Sequence, residues 1–174
     1  MLGFETNRLL LRHFTVADAA CFFRIYQDPE TMRFMGSGPR SVIHEKQHIE
    51  RQIAELYPHG IGLLAMTLKE NQALIGYCGL LYQTVQGKTE LEITYLIDRA
   101  YWRRGFATEA VQPVVKFWQT SRPEPRLVAL VHPDNPASTR VALKNDFIRT
   151  GTAPFKTFGV VDLYVRTRAC REPV

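Results

Sequence analysis

Leu91 to Asp98 reads as a β-strand, and after the turn Tyr101-Trp102-Arg103-Arg104-Gly105 the residues Ala107, Ala110, Val111, Val114, Val115 and Trp118 recur on one helical face. A strand that empties through a short turn into a long amphipathic helix leaves the first helical amides without partners. The helix dipole points its positive end outward at the same place, so a phosphate there satisfies several donors at once. Gly105 and Ala107 keep the turn thin, Phe106, Ala107 and Thr108 carry the first amides, and Arg103 and Arg104 add positive charge beside them. Read from these residues alone, the stretch is equally an ordinary strand-to-helix connection.

The chain of 174 residues is expected to form one domain over residues 1–174, with a core that needs neither metal nor disulfide. Cys21, Cys78 and Cys170 are odd in number, widely spaced and without a Cys-x-x-Cys pair, so no disulfide framework or zinc site is implied. No apolar run reaches the roughly 18 residues of a membrane span. The opening Met1-Leu2-Gly3-Phe4-Glu5 lacks the basic start and apolar stretch of a signal peptide, which predicts a cytoplasmic protein. The formal charge of +5 is spread along the chain rather than gathered into a basic run or an aromatic-basic stripe, which argues against a nucleic-acid partner.

Arg8 to Phe14 reads as the first strand, and Thr15-Val16-Ala17-Asp18 has the spacing of a capping box for a helix reaching about Gln27. Asp28-Pro29 starts a second, short helix that Gly36-Ser37-Gly38-Pro39 ends. A third follows Ser41, with Ile43, Ile49, Ile53 and Leu56 as its apolar face and His44, Glu45, Lys46, Glu50 and Arg51 on its wet side. Runs 61–68 and 73–82 predict a hairpin, in which Gly76 and Gly79 mark a bulge or a close approach. Past the long helix, which Pro113 is expected to bend, come a strand at 126–131, a helix opened by Asn135-Pro136-Ala137-Ser138, and two strands at 147–150 and 159–166. This is an α+β order, not a strict βαβ repeat.

Glu92-Ile93-Thr94-Tyr95-Leu96-Ile97-Asp98, followed by Tyr101 to Ala110, resembles the acyl-coenzyme A binding motif of the GNAT N-acetyltransferase superfamily, whose loop is Arg/Gln-x-x-Gly-x-Gly/Ala. The wording Tyr-Trp-x-x-Gly-x-Ala-Thr-Glu-Ala is most similar to the RimJ/RimL-type branch, which includes ribosomal-protein N-terminal acetyltransferases. Glu5 to Arg12 and Asp28 to Met32 are similar to the opening of the same branch. Trp102 stands where the superfamily has Arg or Gln, and Arg103 where a Gly is usual.

The resemblance implies a GNAT-type domain with a mixed, splayed sheet flanked by helices. It also implies transfer of an acetyl group from acetyl-CoA to a primary amine by direct attack on the thioester, without a metal. Arg103, Arg104, Gly105, Phe106, Ala107 and Thr108 would then hold the pyrophosphate, and main-chain amides at Leu96 and Ile97 the thioester carbonyl. Asn135-x-x-Ser138 alone is an ordinary helix cap. In the superfamily Asn135 is placed to bond the pantetheine arm and Ser138 to reach the sulfur. Branches that use a tyrosine as acid carry it four residues later, where this chain has Ala142. Glu92 becomes the candidate base and stands against a plain surface carboxylate such as Glu90.

The implied acceptor is a protein N-terminal α-amine, with a small-molecule amine close behind. A non-catalytic acyl-CoA-binding module is the alternative of another class, and either a monomer or a homodimer is compatible. His132 reads as a turn residue or a proton carrier. His44-Glu45-Lys46-Gln47-His48 has the bare spacing of a zinc hydrolase but no third-ligand signature.

Overall fold

The computed structural model describes residues 3–35, 41–155 and 159–168. In chain order the strands are β1 (Phe4–Glu5), β2 (Leu9–Arg12), β3 (Gly62–Leu68), β4 (Leu74–Val85), β5 (Lys88–Ile97), β6 (Arg126–Val131), β7 (Ile148–Pro154) and β8 (Val160–Thr167). The helices are α1 (Ala19–Tyr26), α2 (Pro29–Met32), α3 (Val42–Arg51), α4 (Phe106–Ser121) and α5 (Pro136–Lys144). The strands form one sheet in the order β1-β2-β3-β4-β5-β6-β8-β7. Every neighbouring pair is antiparallel except β5 and β6. The fold is thus α+β with a mixed, open sheet.

β5 and β6 run parallel because α4 is the crossover between them. They share one register pair, Glu92 with Val128, and β5 then continues to Ile97 without β6 beside it. The sheet is splayed at this point. On one face, Ala110, Val111, Val114, Val115 and Trp118 of α4 pack against Leu91, Ile93 and Ile97 of β5. On the other, Phe22 and Ile25 of α1 and Ile49 of α3 pack against Leu63, Tyr77 and Leu96. A separate cluster of Val85, Val128, Ala153, Leu163 and Val165 fills the far side.

Local signals set most boundaries. The Thr15 N–H donates to Asp18 Oδ2 at 2.8 Å, and Arg12 binds both Asp18 oxygens at 2.7 and 2.8 Å. Asp28 Oδ2 accepts from the Thr31 amide at 3.2 Å and its hydroxyl at 2.6 Å, with Pro29 at the first helical position. The predicted stop at Gly36 to Pro39 lies outside the described residues. Ser41 Oγ caps α3 by accepting from the His44 amide at 3.2 Å.

The apolar face expected for α3 is corrected. Ile43 is 68 % exposed and Glu45 only 1 %, because Glu45, Ile49 and Gln52 turn inward. Gln52 Oε1 then accepts from the Leu63 amide at 2.8 Å. In β4 both expectations for the glycines are met. The register shifts at Met66/Thr67, opposite Gly76. A Cβ at Gly79 would come 2.1 Å from the Gly62 carbonyl oxygen, and one at Gly76 2.0 Å from that of Leu96.

Candidate active site

Side chains alternate across a strand, so the packing of β5 fixes where its polar residues point. Leu96 faces α1 and α3, and Glu92 and Thr94 share its face. Tyr95 shares the α4 face with Ile93 and Ile97. Glu92 is 7 % exposed and lies opposite Leu81 of β4 and Val128 of β6. It is therefore no surface carboxylate. Nor is Glu90, which is also buried and receives Arg126 Nε at 3.0 Å.

Along a strand, the N–H and C=O of one residue point to the same side, and that side alternates. Asp98 donates its amide to Ile75 O at 2.8 Å, toward β4. Leu96 therefore also turns toward β4, and Ile97 turns toward the opening left by β6. Trp102 Nε1 donates to the Ile97 carbonyl at 2.8 Å. The expectation that Leu96 and Ile97 present their amides together is corrected: Ile97 faces the opening, and Leu96 faces the ladder.

The loop after β5 is tightly curled. Arg103 and Gly105 have φ of 61° and 81°, both left-handed. The first explains why a glycine is usual at that position, since an L residue there costs about 1 kcal/mol. In α4, the Glu109 amide donates to Gly105 O at 3.1 Å, while the amides of Phe106, Ala107 and Thr108 have no acceptor among the described residues. Arg104 lies over the rings of Phe106 at 5.0 Å and Tyr101 at 5.7 Å, and Arg103 is exposed.

Beneath the loop, Glu109 is bonded by Thr6 Oγ1 at 2.6 Å, by the Arg8 amide at 2.8 Å and by Arg8 Nε at 2.7 Å. Burial alone would raise its carboxyl. The Thr6 and Arg8 bonds outweigh burial and hold it below the ordinary range. Arg8 also donates to the Arg104 carbonyl at 3.0 Å and covers the Phe106 ring at 4.4 Å.

Asn135 does cap α5: its Oδ1 accepts from the Ser138 amide at 3.0 Å. Its carboxamide nitrogen has no acceptor among the described residues. Ser138 Oγ lies 2.7 Å from the Tyr95 hydroxyl. Sequence reasoning did not single out Tyr95. Burial pushes its hydroxyl well above the ordinary range, and the Ser138 bond opposes this only in part. At the far end of α5, Asp146 takes the left-handed position with φ of 60°, and Phe147 donates to Ala142 O at 3.1 Å.

His132 Nδ1 accepts from the Asp134 amide at 3.1 Å, and the ring lies 5.1 Å from Phe34, just past α2. It is built into the turn. Glu45 of the His44-to-His48 stretch points inward while His44 is exposed. Among the described residues no group of three His, Cys, Asp or Glu side chains comes together there.

Residues 8–148 match the family model of the acetyltransferase (GNAT) domain. The chain belongs to the GNAT family. Its relative YoaA of Bacillus subtilis, described as an uncharacterized N-acetyltransferase, is 32 % identical over 148 residues, covering 84 % of this chain and 83 % of that protein. Among solved structures, RimL, a ribosomal L7/L12 alpha-N-protein acetyltransferase in complex with coenzyme A, superposes with a TM-score of 0.75 at 15 % identity, over 94 % of this chain and 96 % of that one. Spermidine N-acetyltransferase from Vibrio cholerae, with CoA and spermine, gives 0.76 at 14 %, over 92 % and 95 %. This GNAT chain is accordingly an acetyl-transfer enzyme, with a splay, a donor-rich helix start and two polar side chains flanking the splay.

Proposed function

We propose that this GNAT enzyme acetylates a protein N-terminal α-amine, taking the acetyl group from acetyl-CoA. The observation that supports acetyl transfer at this site best is the position of Glu92 and Ser138. Glu92 lies on one face of β5 at its register pair with β6, and Ser138, on α5, is bonded to Tyr95 on the other face, past the point where β5 and β6 part. A thioester in the gap then has a base on one side and a proton donor on the other.

The donor-rich start of α4 fits a pyrophosphate: three main-chain amides point at it, the turn carries no side chain at Gly105, and Arg103 and Arg104 add attraction. Asn135 Nδ2 donates to the pantetheine arm, and the Ile97 amide to the thioester oxygen, which gains negative charge during attack. The amine nitrogen bonds to the carbonyl carbon as the carbon–sulfur bond breaks. Glu92 takes the proton the amine loses, directly or through water, and Ser138 Oγ–H gives one to the sulfur. Solvent then restores both side chains, so one proton leaves the amine and one reaches the thiol.

An α-amine has a pKa of about 8, against about 10.4 for lysine, so at neutral pH it needs less help from a base. The likeness to RimL supports a protein terminus. The likeness to spermidine N-acetyltransferase supports a small amine as the second reading, although the formal charge of +5 disfavours polycations.

Thiol release from acetyl-CoA, followed with panels of N-terminal peptides, N-terminally blocked lysine peptides and small amines, tests the proposal. Free N-terminal peptides with small first residues are expected to react best. Preference for blocked peptides or small amines overturns the acceptor. Firm acetyl-CoA binding without thiol release from any panel favours a non-catalytic module instead.

A further inference from the structure

We propose that Tyr95 is a positioning residue for Ser138: its hydroxyl donates to Ser138 Oγ, which leaves the serine hydrogen free to face the departing sulfur. This rests on the role given to Ser138 above and adds a residue to it.

Two hydroxyls 2.7 Å apart share a single hydrogen between them, and either one can supply it. The direction decides whether Ser138 can act. A serine that donates to Tyr95 has spent its only hydrogen, whereas a serine that accepts from Tyr95 keeps it for the sulfur. Three features favour the second arrangement. The Tyr95 ring is fixed, since β5 places it opposite Cys78 and it packs against the core under α4. Its other acceptor, the Ser138 carbonyl, is farther away at 3.3 Å. Burial keeps the phenol protonated, so Tyr95 always has a hydrogen to give.

Ser138 is held on its own side. Its amide is anchored on Asn135, so Oγ can move only by rotation of the side chain. Tyr95 extends from β5 beyond the last β6 pair and touches α5, the element that follows β6. One bond therefore ties the two walls of the splay together and orients the proton donor between them. Tyr95 keeps its own proton throughout. The proton received by the sulfur comes from Ser138 and is replaced from solvent.

Tyr95→Phe removes one oxygen and keeps the ring. It is expected to lower kcat about tenfold, in line with one lost neutral hydrogen bond, with KM for acetyl-CoA unchanged. Ser138→Ala is expected to lower kcat at least as far, and Tyr95→Phe to add nothing to it. If Ser138→Ala lowers kcat and Tyr95→Phe does not, the positioning role is overturned and the role of Ser138 stands. If Ser138→Ala leaves kcat unchanged, the serine is not the donor and both readings fall. Additive losses, or a change confined to KM, would show Tyr95 to be a structural tie only.

Difluorotyrosine at position 95 keeps the shape and guards against a Tyr95→Phe protein that fails to fold. Its hydroxyl ionises earlier, so kcat of this variant should fall at alkaline pH where wild type still holds its rate. An alkaline kcat profile that coincides with wild type overturns the proposal.

Discussion

Arg8 and Glu109, 101 residues apart in the chain, meet through the Arg8 amide, its Nε and an ion pair of 2.6 Å directly under the turn that opens α4. The pair sets charge as well as shape. A carboxylate in the first turn of a helix suits the dipole, but beside a pyrophosphate it would repel unless neutralised. Arg8→Ala is therefore expected to weaken acetyl-CoA binding about tenfold, by exposing the Glu109 charge and freeing the Arg104 carbonyl. Adding Glu109→Gln should recover part of that loss. Calorimetric titration of both variants decides it, and a double variant that binds worse than Arg8→Ala would refute the charge argument.

Gly105 precedes α4 at φ of 81°, and a Cβ there would lie 3.6 Å from Arg8 Nη2. Gly105→Glu adds backbone strain, bulk and a negative charge at the proposed pyrophosphate site. It is expected to abolish acetyl-CoA binding, while Arg103→Ala reduces it only a few-fold, as for one exposed cation. Undiminished binding by Gly105→Glu would place the phosphate site elsewhere.

Asp18 offers a pH readout of the fold. Burial would raise its carboxyl, but the bonds from Arg12 and Thr15 prevail and lower it from the ordinary 3.8. A group whose folded value is depressed stabilises fully above its unfolded value, and that contribution disappears as pH falls through the folded one. The stabilisation is thus complete at neutral pH and is lost below about pH 4. Asp18→Asn should cost about 2 kcal/mol at pH 7, by leaving Arg12 without its partner. Its melting temperature should also fall less steeply than wild type between pH 5 and 3. Parallel slopes in thermal melts would remove Asp18 from the acid transition.

What the sequence made legible was what it encodes locally. Capping at Thr15, Asp28, Ser41 and Asn135, the turn at Gly105 and the apolar stripe of α4 each involve residues within a few positions of one another, and each element stands where those signals put it. Long-range relations were not visible. Tyr95 and Ser138 are 43 residues apart, and their bond depends on the splay and on the placement of α5, neither of which leaves a local mark. In α3 the period itself misled. The helix passes into a wider turn over Gln52–Leu56, so Ile53 does not continue the face of Ile49, and Glu45 points inward. β4 and β5 extend past the expected end at Tyr82 to the Gln86-Gly87 turn, where alternating exposure gave no apolar run to read.

Glu92 gives the last prediction, through its location on the face of β5 opposite Tyr95. If Glu92 takes the amine proton, kcat/KM rises with pH through a limb that this carboxylate helps to set. Glu92→Gln keeps the size of the side chain but cannot accept a proton. The rate should fall about tenfold to a hundredfold at neutral pH, toward the lower end if the acceptor is an α-amine that is already partly neutral. The rising limb should then move toward the pKa of the amine itself, and the variant should regain most of the lost rate at high pH. Acetyl-CoA affinity should hold, because the donors proposed for the coenzyme lie at Ile97, Asn135 and the start of α4. A kcat/KM profile of Glu92→Gln whose limb coincides with wild type would mean that the amine arrives neutral or loses its proton to another group.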